Sequence, residues 1–169
     1  MFGRKNFLLT FLAVLFITFL STIKVSAAPA IQRFGGSDRY ETSIKVSQNN
    51  WQKSDYVILV SGEDFPDALS AAPLAKKYNA PILLVSKDNL DNQSDSASNL
   101  TNELSRLKAK KAFIIGGTGA VSSKVEDAIK NKGIEIERIS GNDRYDTSVE
   151  IAKKVGANNG VIIAKGDDF

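Results

Sequence analysis

Four short stretches, three of them runs of apolar residues and the fourth with isoleucines separated by charged residues, predict the strands of the chain. They lie at residues 56–60, 81–85, 111–115 and 134–139, and the second begins with Pro81. In the first three runs the apolar positions are consecutive instead of alternating, which is typical of central parallel strands buried on both faces. We therefore expect these three runs to form the middle of a parallel sheet.

Between the strands the apolar positions recur with helical spacing. From Ser37 onward, Tyr40, Ile44, Ser47 and Trp51 share one face of a predicted helix. Further helices are predicted from residue 66 to about 77, from about 98 to 108 and from about 122 to 132, the last ending at a glycine. Residues 86–97 form a long polar loop. The alternation predicts an α/β fold of three layers, with a mainly parallel sheet between helices.

One segment of the chain returns about 105 residues later. Residues 33–43 and 138–148 share seven identities without a gap, including Asp38/Asp143, Arg39/Arg144 and Tyr40/Tyr145. A second echo matches residues 57–65 with 161–169. The period is too long for a solenoid and indicates a domain-sized module. We assign a complete module to residues 28–137 and the start of a truncated second module to residues 138–169.

Residues 1–27 have the three parts of a secretory signal peptide. A basic start with Arg4 and Lys5 precedes an apolar run from Phe7 to about Leu20, and small residues follow up to Ala27. An uncleaved membrane anchor is the alternative interpretation. With cleavage, the chain is secreted and meets the membrane only through this peptide before it is removed.

Charge and composition exclude several classes of protein. The chain has 22 Lys and Arg against 19 Asp and Glu, and setting aside Arg4, Lys5 and Lys24 leaves 19 against 19. The basic pI therefore does not indicate a nucleic-acid partner. The absence of cysteine and histidine from the sequence removes disulfides, thiol nucleophiles and the commonest metal ligands and general bases. We expect no metal, no cofactor and no catalytic residue.

Two polar clusters invite a chemical interpretation. Glu63, Asp64 and Asp67 follow a strand end, where α/β folds bind ligands, so Glu63 and Asp67 could serve a hydrolase, a glycosidase or an amidase, and several of these acids could hold a divalent cation. Asp64 and Asp67 could equally be charges at a helix N-terminus. Residues 116–119, Gly-Gly-Thr-Gly, could cradle an anion or form a plain turn. Arg39 and Arg144 could pack between modules or bind an anionic group.

Four motifs in order resemble the cell wall-binding repeat 2 family of Gram-positive surface proteins. They are the Asp-Arg-Tyr segments, residues 60–70 (Val-Ser-Gly-Glu-Asp-Phe-Pro-Asp-Ala-Leu-Ser), the Pro-Ile-Leu-Leu of residues 81–84, and the stretch 114–122. The resemblance implies a three-layer α/β module. It also implies three tandem copies packed about a pseudo-threefold axis, of which this sequence carries one and a part.

The resemblance also implies a function and a site. Such modules attach an exported protein, such as an S-layer protein, non-covalently to an anionic secondary polymer of the wall. By that resemblance Pro81, Ile82, Leu83 and Leu84, with Arg39 and Arg144, bind the polymer, and further modules of the same or another chain are partners. The expected protein is thus a non-enzymatic anchor at the cell wall or cell surface, a fragment of a larger surface protein.

Overall fold

The computed structural model describes residues 31–90, 100–156 and 160–166, together with Gly3, Phe11 and Leu12. The chain divides into two units, Met1–Arg33 and Phe34–Phe169. Most of the predicted signal peptide and residues 91–97 of the predicted loop lie outside the described residues. Within the described residues, no helix combines the length and the apolar character that crossing a membrane would require.

The second unit alternates helices and strands. In chain order these elements are α1 (Arg39–Asn50), β1 (Tyr56–Ser61), α2 (Pro66–Ser70), α3 (Ala72–Tyr78), β2 (Ile82–Val85), α4 (Leu100–Leu107), β3 (Lys111–Ile115), α5 (Ser123–Lys130), β4 (Glu135–Ile139) and α6 (Arg144–Val155). All four predicted strands are present, each within about two residues of its predicted bounds.

The four strands form a parallel sheet in the order β2-β1-β3-β4. Successive residues of β1 point to opposite faces, so Leu59 enters a core with α1, α4 and α5, whereas Ile58 and Val60 enter a core with α2, α3 and α6. Helices therefore cover both faces of a parallel sheet. This confirms the predicted three-layer α/β fold.

The structure corrects the predicted position of the second strand. Residues of β1 and β3 are buried almost without interruption, as central strands require, but β2 lies at the edge and its burial alternates between half-buried and buried positions. The continuous run Ile82–Val85 was therefore wrongly assigned to the centre. The apolar side chains of β2 are still buried or half-buried, because helices cover both faces of this edge strand.

The helix predicted from residue 66 to about 77 is two helices. α2 ends at Ser70 and α3 begins at Ala72, because Pro73 lacks the N–H that a continuous helix needs and its ring clashes with the preceding turn. Ala71 at the break is completely buried, whereas Ala72 is exposed. In this segment Ala71 therefore packs in the core beside the sheet, whereas Ala72 does not.

Candidate functional site

The predicted binding residues Pro81, Ile82, Leu83 and Leu84 lie at the β2 edge of the sheet. Pro81 is buried just before the strand, and Leu83 is buried in the core beneath α1. Ile82 and Leu84 are half-buried and pack against the opposite core. The strand therefore anchors itself through Leu83 and leaves part of Ile82 and Leu84 open to solvent.

α1 packs along β2 and fixes its outer edge. The backbone N–H of Leu84 donates a 3.1 Å hydrogen bond to Ser43 Oγ, and that hydroxyl donates to the carbonyl of Tyr40 at 2.7 Å. An edge strand otherwise presents unpaired N–H groups that invite other strands. Ser43, one of the repeated residues, thus sets the position of Leu84 relative to α1.

Arg39 lies at the carboxyl end of the same edge. Its Nη1 donates to the carbonyl of Gly62 at 2.6 Å, and the N–H of Gly62 donates to the carbonyl of Val85 at 2.8 Å. The ring of Tyr40 lies so close to Gly62 that a β-carbon there would collide with it. The structure therefore brings Arg39 to the end of β1 and β2, beside the predicted binding strand.

Arg144 lies elsewhere. It begins α6, which packs against α2 and α3 in the layer opposite α1. Its charge acts on Asp67. The structure thus brings Arg39 to β2 but places Arg144 beside α2.

The two copies of the repeated segment have the same local geometry. Asp38 and Asp143 each accept a hydrogen bond from the backbone N–H three residues later, at 2.7 and 2.8 Å. Gly36 and Gly141 each donate to the threonine hydroxyl six residues later, both at 3.0 Å. Tyr145 lies against Gly166 as Tyr40 lies against Gly62. The sequence repeat is therefore also a structural repeat at this level.

The two repeated helices nevertheless dock through different faces. α1 buries Ile44, which is 3% exposed, and leaves Val46 39% exposed. In α6 the equivalent of Ile44 is Val149, which is 49% exposed, and the equivalent of Val46 is Ile151, which is 2% exposed. α6 therefore rests on the first copy through one face and turns the face used by α1 toward solvent.

The second echo follows the same logic. Val161, Ile162 and Ile163 are 64%, 95% and 94% exposed, whereas the equivalent residues Val57–Leu59 are completely buried in β1. Asp167 and Asp168, which echo the acids of the first copy, lie outside the described residues. The described part of the second copy therefore exposes apolar side chains at positions whose equivalents in the first copy are buried.

The acidic cluster lies at the carboxyl ends of β1 and β3, where the order of the strands reverses. Glu63 Oε1 accepts a 3.0 Å hydrogen bond from the N–H of Lys87, and Asp64 Oδ1 accepts one from the N–H of Phe65. A β-carbon at Gly116 would collide with Asp67 Oδ2. Burial raises the pKa of Asp67, the charge of Asp64 raises that pKa further, and Arg144 opposes both.

The raised pKa of Asp67 predicts a pH effect on stability. The folded chain holds this proton more tightly than the unfolded chain does. The free energy of unfolding therefore falls as pH rises from below the ordinary value of 3.8 through the raised pKa. Above that pKa, the loss of stability caused by ionising Asp67 in the folded chain is complete. We expect Asp67→Asn to unfold at higher urea concentration than the original chain at pH 7, with the difference shrinking near pH 3. An unchanged difference between pH 3 and 7 would contradict the assignment.

In the glycine-rich turn of residues 116–119, the backbone groups of Gly116 are hydrogen-bonded to other parts of the protein. Gly116 donates its N–H to the carbonyl of Ile139 at 2.9 Å and accepts from Arg138 Nη1 at 2.8 Å. Arg138 also pairs with Glu126 at 2.8 Å. The backbone groups of Gly116 are thus occupied by β4 and Arg138. Sequence reasoning found Arg138 as a repeated residue but did not foresee this role.

An ion pair with a buried carboxylate was also missed. Glu103 has no exposed side-chain surface and accepts two 2.7 Å hydrogen bonds from Arg106, while Ser47 donates a third at 2.5 Å. Arg106 reaches on to the carbonyl of Trp51 at 2.9 Å. The i,i+3 spacing of Glu103 and Arg106 was the available signal, but such pairs are usually exposed. The pair ties the end of α1 to α4.

No group of three Asp, Glu, His or Cys side chains in the described part of the chain is arranged to hold a metal ion.

Comparison with known proteins identifies relatives of both copies. The sequence profile of a family described as "Cell wall binding domain 2 (CWB2)" matches residues 33–126 and again residues 138–169. The N-acetylmuramoyl-L-alanine amidase LytC of Bacillus subtilis (strain 168) is 36% identical over 161 residues, which cover 93% of this chain and 31% of that protein. The amidase enhancer of the same strain is 37% identical over 137 residues, 81% of this chain and 18% of that protein.

Two solved structures share the fold. Cwp8 from Clostridium difficile superposes with a TM-score of 0.67 at 33% identity, over 85% of this chain and 24% of that one. Cwp6 from the same organism gives a TM-score of 0.66 at 34% identity, over 79% of this chain and 21% of that one. The chain spans about a third or less of the length of each of these four proteins.

Proposed function

Because the chain belongs to the Cell wall binding domain 2 (CWB2) family, we propose that it holds an exported protein at the bacterial cell wall through an anionic secondary wall polymer. The observation that carries the proposal is the double family match, which covers both copies of the repeat. The predicted leader at residues 1–27 would export the protein, and its place of action would be the cell wall or cell surface. Binding to the cell wall is the property that the family description names.

We propose the β2 edge as the polymer contact. Ile82 and Leu84 offer partly open apolar surface, against which the face of a sugar ring can pack, and Pro81 and Leu83 hold the strand in place. Arg39 supplies a positive charge at the end of the same edge for an anionic substituent of the polymer. Arg144 would serve the corresponding edge of a second module.

Further modules are the proposed protein partners. α6 begins the second copy, yet it packs on α2 and α3 of the first and exposes the face that α1 buries. Completion of a module from residue 138 onward would cover Val149 and the segment 161–163. These contacts support modules bounded at residues 28–137 and from 138, with α6 shared between neighbours.

The chain spans only part of its relatives, and we propose that this part is non-catalytic. Glu63 is engaged with the backbone of Lys87, and Asp67 lies against Gly116, so both acids have structural contacts. Purified peptidoglycan incubated with the chain should release no soluble fragments. Turnover that Glu63→Gln abolished would favour the hydrolase alternative.

Sedimentation with purified Gram-positive cell walls tests the binding proposal. We expect the chain to co-sediment, but about 10² times more weakly than a chain with three complete copies, because linked modules raise the effective concentration at each site. Leu84→Asp should reduce retention, whereas Asp88→Ala, at an exposed residue beyond the strand, should not. Absence of the original chain from the pellet would overturn the proposal.

A further inference from the structure

The charges of the chain are segregated between the two ends of the sheet. The segments before the strands, residues 51–55, 76–81, 108–110 and 131–134, contain six lysines and one acid, Asp55. The described segments after the strands, residues 62–65, 86–90, 116–122 and 140–143, contain four acids and one lysine. In a parallel sheet all strands begin at the same end of the sheet. A chain with near-zero net charge beyond its leader therefore has a basic end and an acidic end.

Six lysines lie in the four segments that precede the strands, and we call this set the lysine row: Lys53, Lys76, Lys77, Lys108, Lys110 and Lys132. All six residues are exposed. Backbone hydrogen bonds join the loops that carry them, for example from Ser54 N–H to Leu107 O at 3.0 Å and from Glu135 N–H to Lys110 O at 2.8 Å. Neighbouring strands are about 4.8 Å apart, so the row extends about 15 Å across the sheet.

Internal charges do not neutralise the row. Asp55 is shared by Lys53 at 3.6 Å and Lys110 at 3.2 Å. Lys76, Lys108 and Lys132 have no acidic partner within the described residues. Nearby Lys111, Lys153 and Lys154 are each matched by a glutamate.

Helix ends account for only part of this arrangement. Among the described helices, five end on this side of the sheet, and each contributes about half a negative charge from its free carbonyls, which draws lysines to helix C-termini. Five such ends offset about 2.5 charges, while the row carries six lysines against Asp55. About 2.5 positive charges therefore remain unbalanced.

We infer that the lysine row is a second contact surface, which starts beside the β2 edge and continues across the sheet, for a dense linear polyanion. Lysine is a compact point charge without the fixed fork of arginine, so the row recognises density of negative charge and not one particular group. A flexible chain with closely spaced anionic groups can lie along all four loops at once. The inference deepens the proposed function and rests on it, because the wall polymer is the polyanion that an anchored module would meet.

Lys108 offers an unusually clean test of the row. It has a φ of 57°, in the left-handed region that glycine adopts without strain. Lys108→Gly should therefore leave the melting temperature unchanged or raise it while it removes one charge. A loss of binding in this variant cannot be attributed to loss of the fold.

The experiment measures binding of linear polyphosphate between 50 and 200 mM NaCl. We expect Lys108→Gly/Lys132→Gln to bind about 25-fold more weakly, about fivefold for each lysine. The slope of log affinity against log salt should also fall by about 1.4 to 1.8. The matched variant Lys87→Gln/Lys124→Gln removes the same charge away from the row and should bind within about twofold of the original chain. Equal losses in the two variants, or no polyphosphate binding by the original chain at 50 mM NaCl, would overturn the inference.

Two further arms separate the possible sources of the polyanion. If the row variant loses binding to vesicles of anionic phospholipid but keeps polyphosphate binding, the surface is a membrane contact and the inference fails. If the original chain and the row variant sediment equally with cell walls, the inference fails and the proposed function stands. If the original chain does not sediment with walls at all, the proposed function fails, and the polyphosphate result judges the row on its own.

Discussion

Glu103→Gln should lower the free energy of unfolding by about 3 kcal/mol. The carboxylate is completely buried, and its loss leaves the guanidinium of Arg106 without the charge that compensates it. The amide that replaces the carboxylate has one acceptor oxygen instead of two and no charge, and hydrogen bonds to a charged group contribute about 1.5–3 kcal/mol. Urea unfolding with linear extrapolation measures the difference.

The chain contains a matched control for this variant. Glu150 pairs with Lys153 at 2.7 Å with the same i,i+3 spacing, but the two side chains are 44% and 66% exposed. Glu150→Gln should therefore cost less than about 1 kcal/mol. Equal losses for Glu103→Gln and Glu150→Gln would show that burial of the first pair does not determine its contribution.

The hydrogen bond from Ser47 to the pair has no counterpart in α6. Ser47 donates to Glu103 from α1, whereas the equivalent residue of α6 is Ala152, which cannot donate. Because the two copies differ at this position, comparing their sequences does not single it out. The structure shows that Ser47 completes a buried network.

The fold was largely readable from the sequence because its signals are local. Continuous apolar runs specify β1 and β3, and Asp38 and Asp143 cap α1 and α6. The break at Ala71 was also encoded, in Pro73, but alanine-rich periodicity concealed it. The order of the strands was not readable, because residues 82–85 are as apolar as a central strand.

The candidate site was readable only through the resemblance of four motifs to a family. Nothing in Pro81–Leu84 by itself distinguishes a binding edge from a core strand. The hydrogen bonds that relate this edge to Ser43 and Arg39 join residues 23 to 41 positions apart, and they depend on packing between elements. Sequence periodicity cannot supply such contacts.

The docking of α6 shows the limit of reasoning by repetition. Both helices carry two apolar stripes, one through the position of Ile44 and Val149, the other through that of Val46 and Ile151. Equivalent sequence predicts equivalent burial. The structure reverses it, because α1 packs on β2 and α4 whereas α6 packs on α2 and α3.

This reversal predicts an inverted pattern of mutational effects. Ile44→Ala and Ile151→Ala should each destabilise the chain by about 3 kcal/mol, the usual cost of emptying a buried isoleucine site. Val46→Ala and Val149→Ala should change stability by no more than about 0.5 kcal/mol, since both side chains are largely outside the core. Urea unfolding gives the global cost, and amide hydrogen exchange in α6 detects local release of that helix.

The four variants discriminate sharply because each serves as the control for its counterpart in the other copy. A large loss at Val149 with a small loss at Ile151 would mean that α6 docks as α1 does, and that the second copy does not lean on the first. Faster exchange confined to α6 in Ile151→Ala, with α1 unchanged, would instead assign the whole effect to contacts with α2 and α3. Since those contacts join the start of the second copy to the body of the first, their strength determines how firmly α6 is held to the first copy.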